Sequence, residues 1–164
     1  YFLFFNLKDL LVGKSAELRK AISMAIDRDA FVERFRNGRG IRATSLVPRT
    51  VPGHVARAFP YDYDPAKARA LLAKAGYPGG KGLPKIRLDL KGTATNFRQQ
   101  GEFLQESLRQ VGIPIEVVAN TMPGYLEKER NGSLQFTFGV WDSDYPDAEN
   151  FLALLYSKIG RAHV

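Results

Sequence analysis

The chain contains no cysteine, no long apolar run and only two histidines among its 164 residues. Without cysteine it can form neither a disulfide nor a cysteine-based zinc site. This is compatible with an exported bacterial protein. No stretch approaches the roughly 20 apolar residues of a membrane-spanning helix. The apolar opening, residues 1–7, is too short for a signal peptide. It predicts a strand entered midway, so we expect the chain to be a fragment.

A hydrophobic content of 45% and a charged content of 25% predict one globular domain with a real core. The net charge of +7 suggests a nucleic-acid partner, because clustered basic residues attract phosphate. The basic residues are scattered, however, and acids at Asp29 and Glu33 interrupt the densest zone. A solvated basic face is therefore favoured. A small basic nucleic-acid-binding α/β module is the alternative from a different class.

Helix caps and apolar periodicity predict an α/β fold. Ser15, Asp27 and Asp64 are placed to cap helices, and Gly76 to end the third one. The β-α-β-α-β order of the second half implies a parallel or mixed sheet flanked by helices. Residues 40–63 are expected to be an irregular surface segment, and the glycines near position 80 a flexible, hairpin-like connection. Helices are predicted over 15–26, 28–38, 64–76, 96–112, 122–132 and 148–156, and strands over 85–90, 113–119 and 134–141.

Acids and aromatic rings gather in the sequence WDSDYPD, residues 141–147. This bend leaves the carboxyl end of a predicted strand, where open α/β sheets bind ligands. Asp147 is placed to cap the helix that follows. Asp144 comes too early for that role. Its carboxylate, beside Trp141 and Tyr145, could pair with an ammonium group, because ring faces also attract cations. Asp142 is either solvated or in contact with a ligand through its backbone.

Metal binding and catalysis find little support in the same bend. Counted from Asp142, the sixth and twelfth positions hold Asp and Ala, whereas a calcium loop needs Gly and Glu there. Ser143 lacks the Gly-x-Ser-x-Gly setting of a nucleophile, and His54 stands alone in a proline-rich loop. Asp142 and Asp144 could serve a hydrolase, but their adjacency in sequence fixes no useful separation. We therefore expect no bound metal, no cofactor and no catalytic activity.

The combined pattern resembles the extracellular solute-binding proteins of peptide-type ABC importers, the dipeptide- and oligopeptide-binding group. The resemblance covers nearly the whole chain up to Ser157. Four stretches carry it: FNLKDLLVGKSAELRKAISMAIDRDAFVERF, TSLVPRTVPGH, YDYDPAKARALLAKAGYPGG and WDSDYPDAENFL.

This resemblance implies one lobe of a two-lobe, type II Venus-flytrap fold of the periplasmic-binding-protein kind. Residues 1–157 would form part of the C-terminal-side lobe. Residues 158–164, KIGRAHV, match the translation of a common sequencing adapter and are expected to be a non-native tail. The implied function is capture of di- or oligopeptides by lobe closure, with delivery to the membrane permease subunits of an ABC transporter. A receptor for a non-peptide solute on the same fold is the alternative.

The resemblance also implies a monomer without nucleic acid, located in the periplasm or anchored outside the membrane. Asp144 would hold the α-ammonium of the peptide. Asp142 stands where the family usually has a small residue, which bears on the size and charge of the pocket. No Lys or Arg lies in residues 134–141, so any anchor for the peptide carboxylate must lie elsewhere. The residues expected to bind ligand are Gly139, Val140, Trp141, Asp142, Asp144 and Tyr145.

Overall fold

The computed structural model describes the backbone of residues 1–56 and 60–156 and the side chains up to residue 153. The expected non-native tail, residues 158–164, lies outside the described residues. Eleven elements follow one another along these ranges, ten of them strands or α-helices and one a 3-10 turn at Pro78–Gly80. They are β1 (Phe2–Phe5), α1 (Ala16–Met24), α2 (Arg28–Arg36), α3 (Pro65–Lys74), β2 (Ile86–Leu90), α4 (Thr95–Arg109), β3 (Ile115–Ala119), α5 (Met122–Arg130), β4 (Phe136–Gly139) and α6 (Ala148–Tyr156).

The four strands form a mixed sheet in the order β1-β4-β2-β3. Strands β4, β2 and β3 are parallel, and β1 runs antiparallel to β4. The predicted fold class, an α/β fold with a mixed sheet flanked by helices, is confirmed. Strand β1 also confirms the strand expected at residues 1–7.

The main core lies on one face of this sheet. Ile86, Leu88 and Leu90 alternate along β2 and point towards it, and they are at most 1% exposed. Leucines and isoleucines of α1, α3 and α4 complete the cluster. Each apolar side chain removed from water in this way stabilises the fold by about 1.5–3 kcal/mol.

A polar network occupies the opposite face, which α5 covers. Asp89 is fully buried, and its carboxylate accepts hydrogen bonds from Lys128 Nζ (2.7 Å), Asn120 Nδ2 (3.1 Å) and Arg87 Nε (3.1 Å). A buried carboxylate is tolerated only when it is paired and hydrogen-bonded in this manner. The network therefore attaches α5 to strand β2, which contains Asp89.

The predicted helix caps are confirmed. Ser15 Oγ accepts from Leu18 N at 3.1 Å, and the side chains of Asp27 and Asp64 each accept from the backbone three residues on, both at 2.9 Å. These side chains satisfy backbone N–H groups that have no partner within the helix. Among the helices that the structure describes, none has the length and apolar character needed to cross a membrane.

Two details of the prediction are wrong. The expected strand over 134–141 is shorter in the structure, Phe136–Gly139, and Trp141 packs instead into a second apolar cluster of Val47, Val51 and Phe151. The connection at Gly79 and Gly80 is a 3-10 turn, not a hairpin-like link. A Cβ on Gly80 would lie 1.8 Å from the carbonyl oxygen of Gly112, so this turn packs tightly on the end of α4.

Candidate ligand-binding site

The candidate site lies at the carboxyl edge of the parallel strands, where the connecting loops leave the sheet in opposite directions. The loop after β2 leads to α4 on one face of the sheet, and the loop after β3 leads to α5 on the other. Gly101 of α4 packs against Leu90, whereas Lys128 of α5 reaches Asp89 on the opposite side. Neighbouring parallel strands whose connections part in this way leave a crevice, which is the usual ligand site of open α/β sheets.

A groove of about 250 Å³ lies at this edge. It collects Tyr1, residues from the ends of β2 and β4, and residues from the first two turns of α4 and the first turn of α5, which are far apart in sequence. Its lining consists of Tyr1, Lys91, Asn96, Phe97, Gln100, Met122, Phe138, Gly139 and Val140.

Among the described residues that line the groove, Lys91 has the only charged side chain. Its Nζ lies 5.8 Å from the ring centroid of Tyr125, within range of a cation–π contact. The Tyr125 ring is itself buried, and its hydroxyl lies 3.1 Å from Thr137 Oγ1. Since the Thr137 hydroxyl donates to the Asp89 carbonyl oxygen at 2.7 Å, Tyr125 is the donor to Thr137. Burial raises the pKa of Tyr125, which keeps this hydroxyl protonated.

The bend after β4 is held by the indole of Trp141. Its Nε1 donates to Asn150 Oδ1 at 2.9 Å, and Asn150 is buried at the start of α6. The ring packs on Val47, Val51 and Phe151, so the proline-rich segment lies beneath the bend. Trp141 therefore anchors the bend to two other parts of the chain.

The acids of the bend differ in what they contact. The carboxylate of Asp147 accepts from Glu149 N at 2.8 Å, which confirms it as the cap of α6. Asp142, Asp144 and Tyr145 are exposed, and Tyr145 is 48% exposed. Within the described residues, the Asp144 side chain makes no hydrogen bond or ion pair. Its carboxylate is available to an external cation.

The structure brings some of the expected ligand-binding residues together and separates others. Gly139 and Val140 line the groove beside Lys91, whereas Trp141 turns its ring into the second cluster. Asp144 and Tyr145 stand on the exposed bend beyond. Ligand contact by all six expected residues remains a prediction.

Two residues of the site escaped the sequence analysis. Lys91 follows a predicted strand directly, and its position at the carboxyl end of β2 was the available signal. Asn150 lies in the stretch resembling the family's signature, but only the fold shows that it orients Trp141. Throughout residues 1–56 and 60–156, no group of three or more His, Cys, Asp or Glu side chains is arranged to hold a metal ion.

Comparison with known proteins places this geometry in context. The family model of the bacterial extracellular solute-binding proteins, family 5 (middle), matches residues 1–162. A dipeptide-binding protein of Escherichia coli K12 is 30% identical over 142 residues, which cover 86% of this chain and 26% of that protein. Heme-binding protein A of Haemophilus influenzae is 28% identical over 153 residues, 92% of this chain and 28% of that protein. The chain thus spans between a quarter and a third of the length of these relatives.

A solved structure agrees in fold. The periplasmic binding protein DppA of Helicobacter pylori, in complex with the peptide STSA, superimposes with a TM-score of 0.81 at 30% identity. The match covers 92% of this chain and 28% of that one. The mixed sheet, its flanking helices and the groove at the carboxyl edge define one lobe of a periplasmic-binding-protein-like fold, type II. The chain belongs to family 5 of the bacterial extracellular solute-binding proteins.

Proposed function

We propose that the complete protein is the substrate-binding component of a peptide-type ABC importer. It captures di- or oligopeptides in the periplasm, or outside the cell on a membrane anchor, and delivers them to the membrane permease subunits. Residues 1–157 of this chain form part of the C-terminal-side lobe. Closure of the second lobe completes the site. The protein acts as a monomer, without nucleic acid and without catalysing a reaction.

The exposed carboxylate of Asp144, which has no partner among the residues that the structure describes, is the observation that carries the proposal. Asp147 caps α6, so within the described residues Asp142 and Asp144 are the acids of the bend that make no hydrogen bond or salt bridge. Of these two, Asp144 directly precedes Tyr145 in the sequence, and an exposed carboxylate there suits the α-ammonium of a peptide. Backbone groups from Gly139 to Asp142 would then meet the extended peptide chain.

Lys91 completes a two-charge recognition pattern. Residues 134–141 contain no Lys or Arg that could bind the carboxylate of a peptide. Lys91 supplies such a cation, and it lines the same groove as Val140. We assign it to the carboxylate of the ligand. A ligand held between Asp144 and Lys91 carries both a free amine and a free carboxylate, which is the chemistry of a short peptide.

Calorimetry on the full-length protein tests this assignment with a dipeptide, its N-acetylated copy and its carboxyl amide. In the parent protein we expect each modification to weaken binding about tenfold to a hundredfold, the value of one charge-assisted hydrogen bond of 1.5–3 kcal/mol. Asp144→Asn should abolish the effect of acetylation alone, and Lys91→Met the effect of amidation alone.

Asp147→Asn is the matched control at the same bend. Asparagine caps helices as well as aspartate does, so this variant loses one acid and keeps α6. It should still distinguish the acetylated peptide. A parent protein that binds no peptide would refute the proposal and direct the search to non-peptide solutes, which the name of the Haemophilus relative makes the second candidate. Release of cleaved peptide would instead indicate an enzyme.

A further inference from the structure

Three large apolar side chains surround the groove and remain about half exposed. Tyr1 is 50% exposed, Met122 48% and Val140 45%. They come from the amino end, from α5 and from the chain after β4, yet they meet around one concavity. Apolar side chains gathered in this way at a concave surface are typical of a ligand site.

The floor of the groove is aromatic and firmly packed. Phe138 is 9% exposed and stacks on Tyr1, with ring centroids 5.4 Å apart. The ring of Phe97 lies against the backbone of Gly92, so closely that a Cβ there would be 2.5 Å from it. An occupant of the groove therefore contacts packed aromatic rings and the flexible side chain of Met122. A thioether adapts to apolar groups of different shape.

The charge of the lining indicates which chemical group of the ligand lies next to its apolar part. Of the described lining side chains Lys91 alone is charged, and the polar residues Asn96 and Gln100 are neutral. Charge complementarity therefore favours an anionic group on the ligand beside its apolar part. A cavity of roughly 150 Å³ holds benzene. The groove, at about 250 Å³, has room for a leucyl or phenylalanyl side chain next to a carboxylate.

We infer that this groove is a specificity subsite for an apolar side chain on the residue that bears the ligand's free carboxylate. The inference rests on the proposed peptide function. It assigns the protein a preference for peptides that end in Leu, Met or Phe. The apolar terminal side chain lies between Met122 and Val140, and its carboxylate lies at Lys91.

Calorimetry on the full-length protein tests this preference with the dipeptides Ala-Leu, Ala-Phe, Ala-Asn and the reversed Leu-Ala. We expect Ala-Leu and Ala-Phe to bind at least tenfold more tightly than Ala-Asn and Leu-Ala, because apolar pockets discriminate by such factors. Met122→Ser should weaken Ala-Leu about tenfold and leave Ala-Asn within twofold. Leu126→Ser is the matched control, since Leu126 is exposed one turn further along α5 and does not line the groove.

The outcomes separate this inference from the proposed function. If all four dipeptides bind equally, the subsite is refuted while the peptide function stands. If none binds, both fail. If Met122→Ser weakens every dipeptide by the same factor, the patch serves contact with the second lobe on closure, and the subsite is again refuted. A leucine preference that disappears in Met122→Ser but persists in Leu126→Ser supports the subsite.

Discussion

Replacing Asp89 with asparagine should loosen the centre of the sheet. Asp89 is 0% exposed, and its two carboxylate oxygens accept from Lys128, Asn120 and Arg87 at 2.7–3.1 Å. In Asp89→Asn one oxygen becomes an amide NH₂, which must face at least one of these donors. The variant therefore loses a hydrogen bond together with the negative charge that balances two cations.

The exposure of the two cations determines the size of the effect. Breaking a sealed ion pair costs about 3–5 kcal/mol, whereas exposed pairs contribute about 0–1 kcal/mol. The side chains of Lys128 and Arg87 are 30% and 40% exposed, so water can solvate them once they are released. We expect the loss of one charge-assisted hydrogen bond, about 2 kcal/mol.

Hydrogen exchange measures this loss locally, which suits a protein with more than one lobe. A loss of about 2 kcal/mol corresponds to roughly thirtyfold faster exchange in peptides that cover β2 and β3. Glu106→Gln is the matched control. Its hydrogen bond with Arg109 lowers the pKa of Glu106 to about 2, but the pair is exposed, so exchange in the sheet should not change. Unchanged exchange in Asp89→Asn would show that the network does not stabilise the sheet.

Three further outcomes follow from the packing. Asn150→Ala should cost about 0.5–1.5 kcal/mol by removing the hydrogen bond of the half-buried Trp141 indole, and the indole fluorescence should shift to the red; an unshifted spectrum would contradict this anchor. Gly101→Ala should lower the melting temperature at a cost of about 1–3 kcal/mol, because the new Cβ would lie 2.8 Å from Val117 Cγ1; an unchanged melting temperature would refute that close approach. Because burial raises the pKa of Tyr125, the folded state holds that proton above about pH 10, where the unfolded chain releases it. Stability should therefore fall more steeply with pH in the parent than in Tyr125→Phe, as unfolding midpoints between about pH 8 and pH 11 would show; parallel slopes would exclude the contribution.

The local elements were predictable because their signals lie within a few residues of one another. Ser15, Asp27 and Asp64 each cap a helix that begins at the next residue, so the hydrogen bond that they make is local. Apolar periodicity likewise separated helices from strands. The prediction was wrong at Gly139 and at Gly80, where distant contacts decide the path of the chain: the apolar cluster around Trp141 and the backbone of Gly112.

By itself the sequence determined the α/β class, the order of the elements, the capping residues and the position of the acidic bend at a strand end. Only the tertiary structure decided what shares that edge with the bend. Lys91, Met122 and Val140 lie between 18 and 31 residues from their nearest neighbour in this set, and they meet because β2, β3 and β4 are parallel with their carboxyl ends together. The sheet order and register result from burial of apolar side chains along whole strands, a property that no short motif records. The charge and the apolar lining of the groove are consequences of that packing.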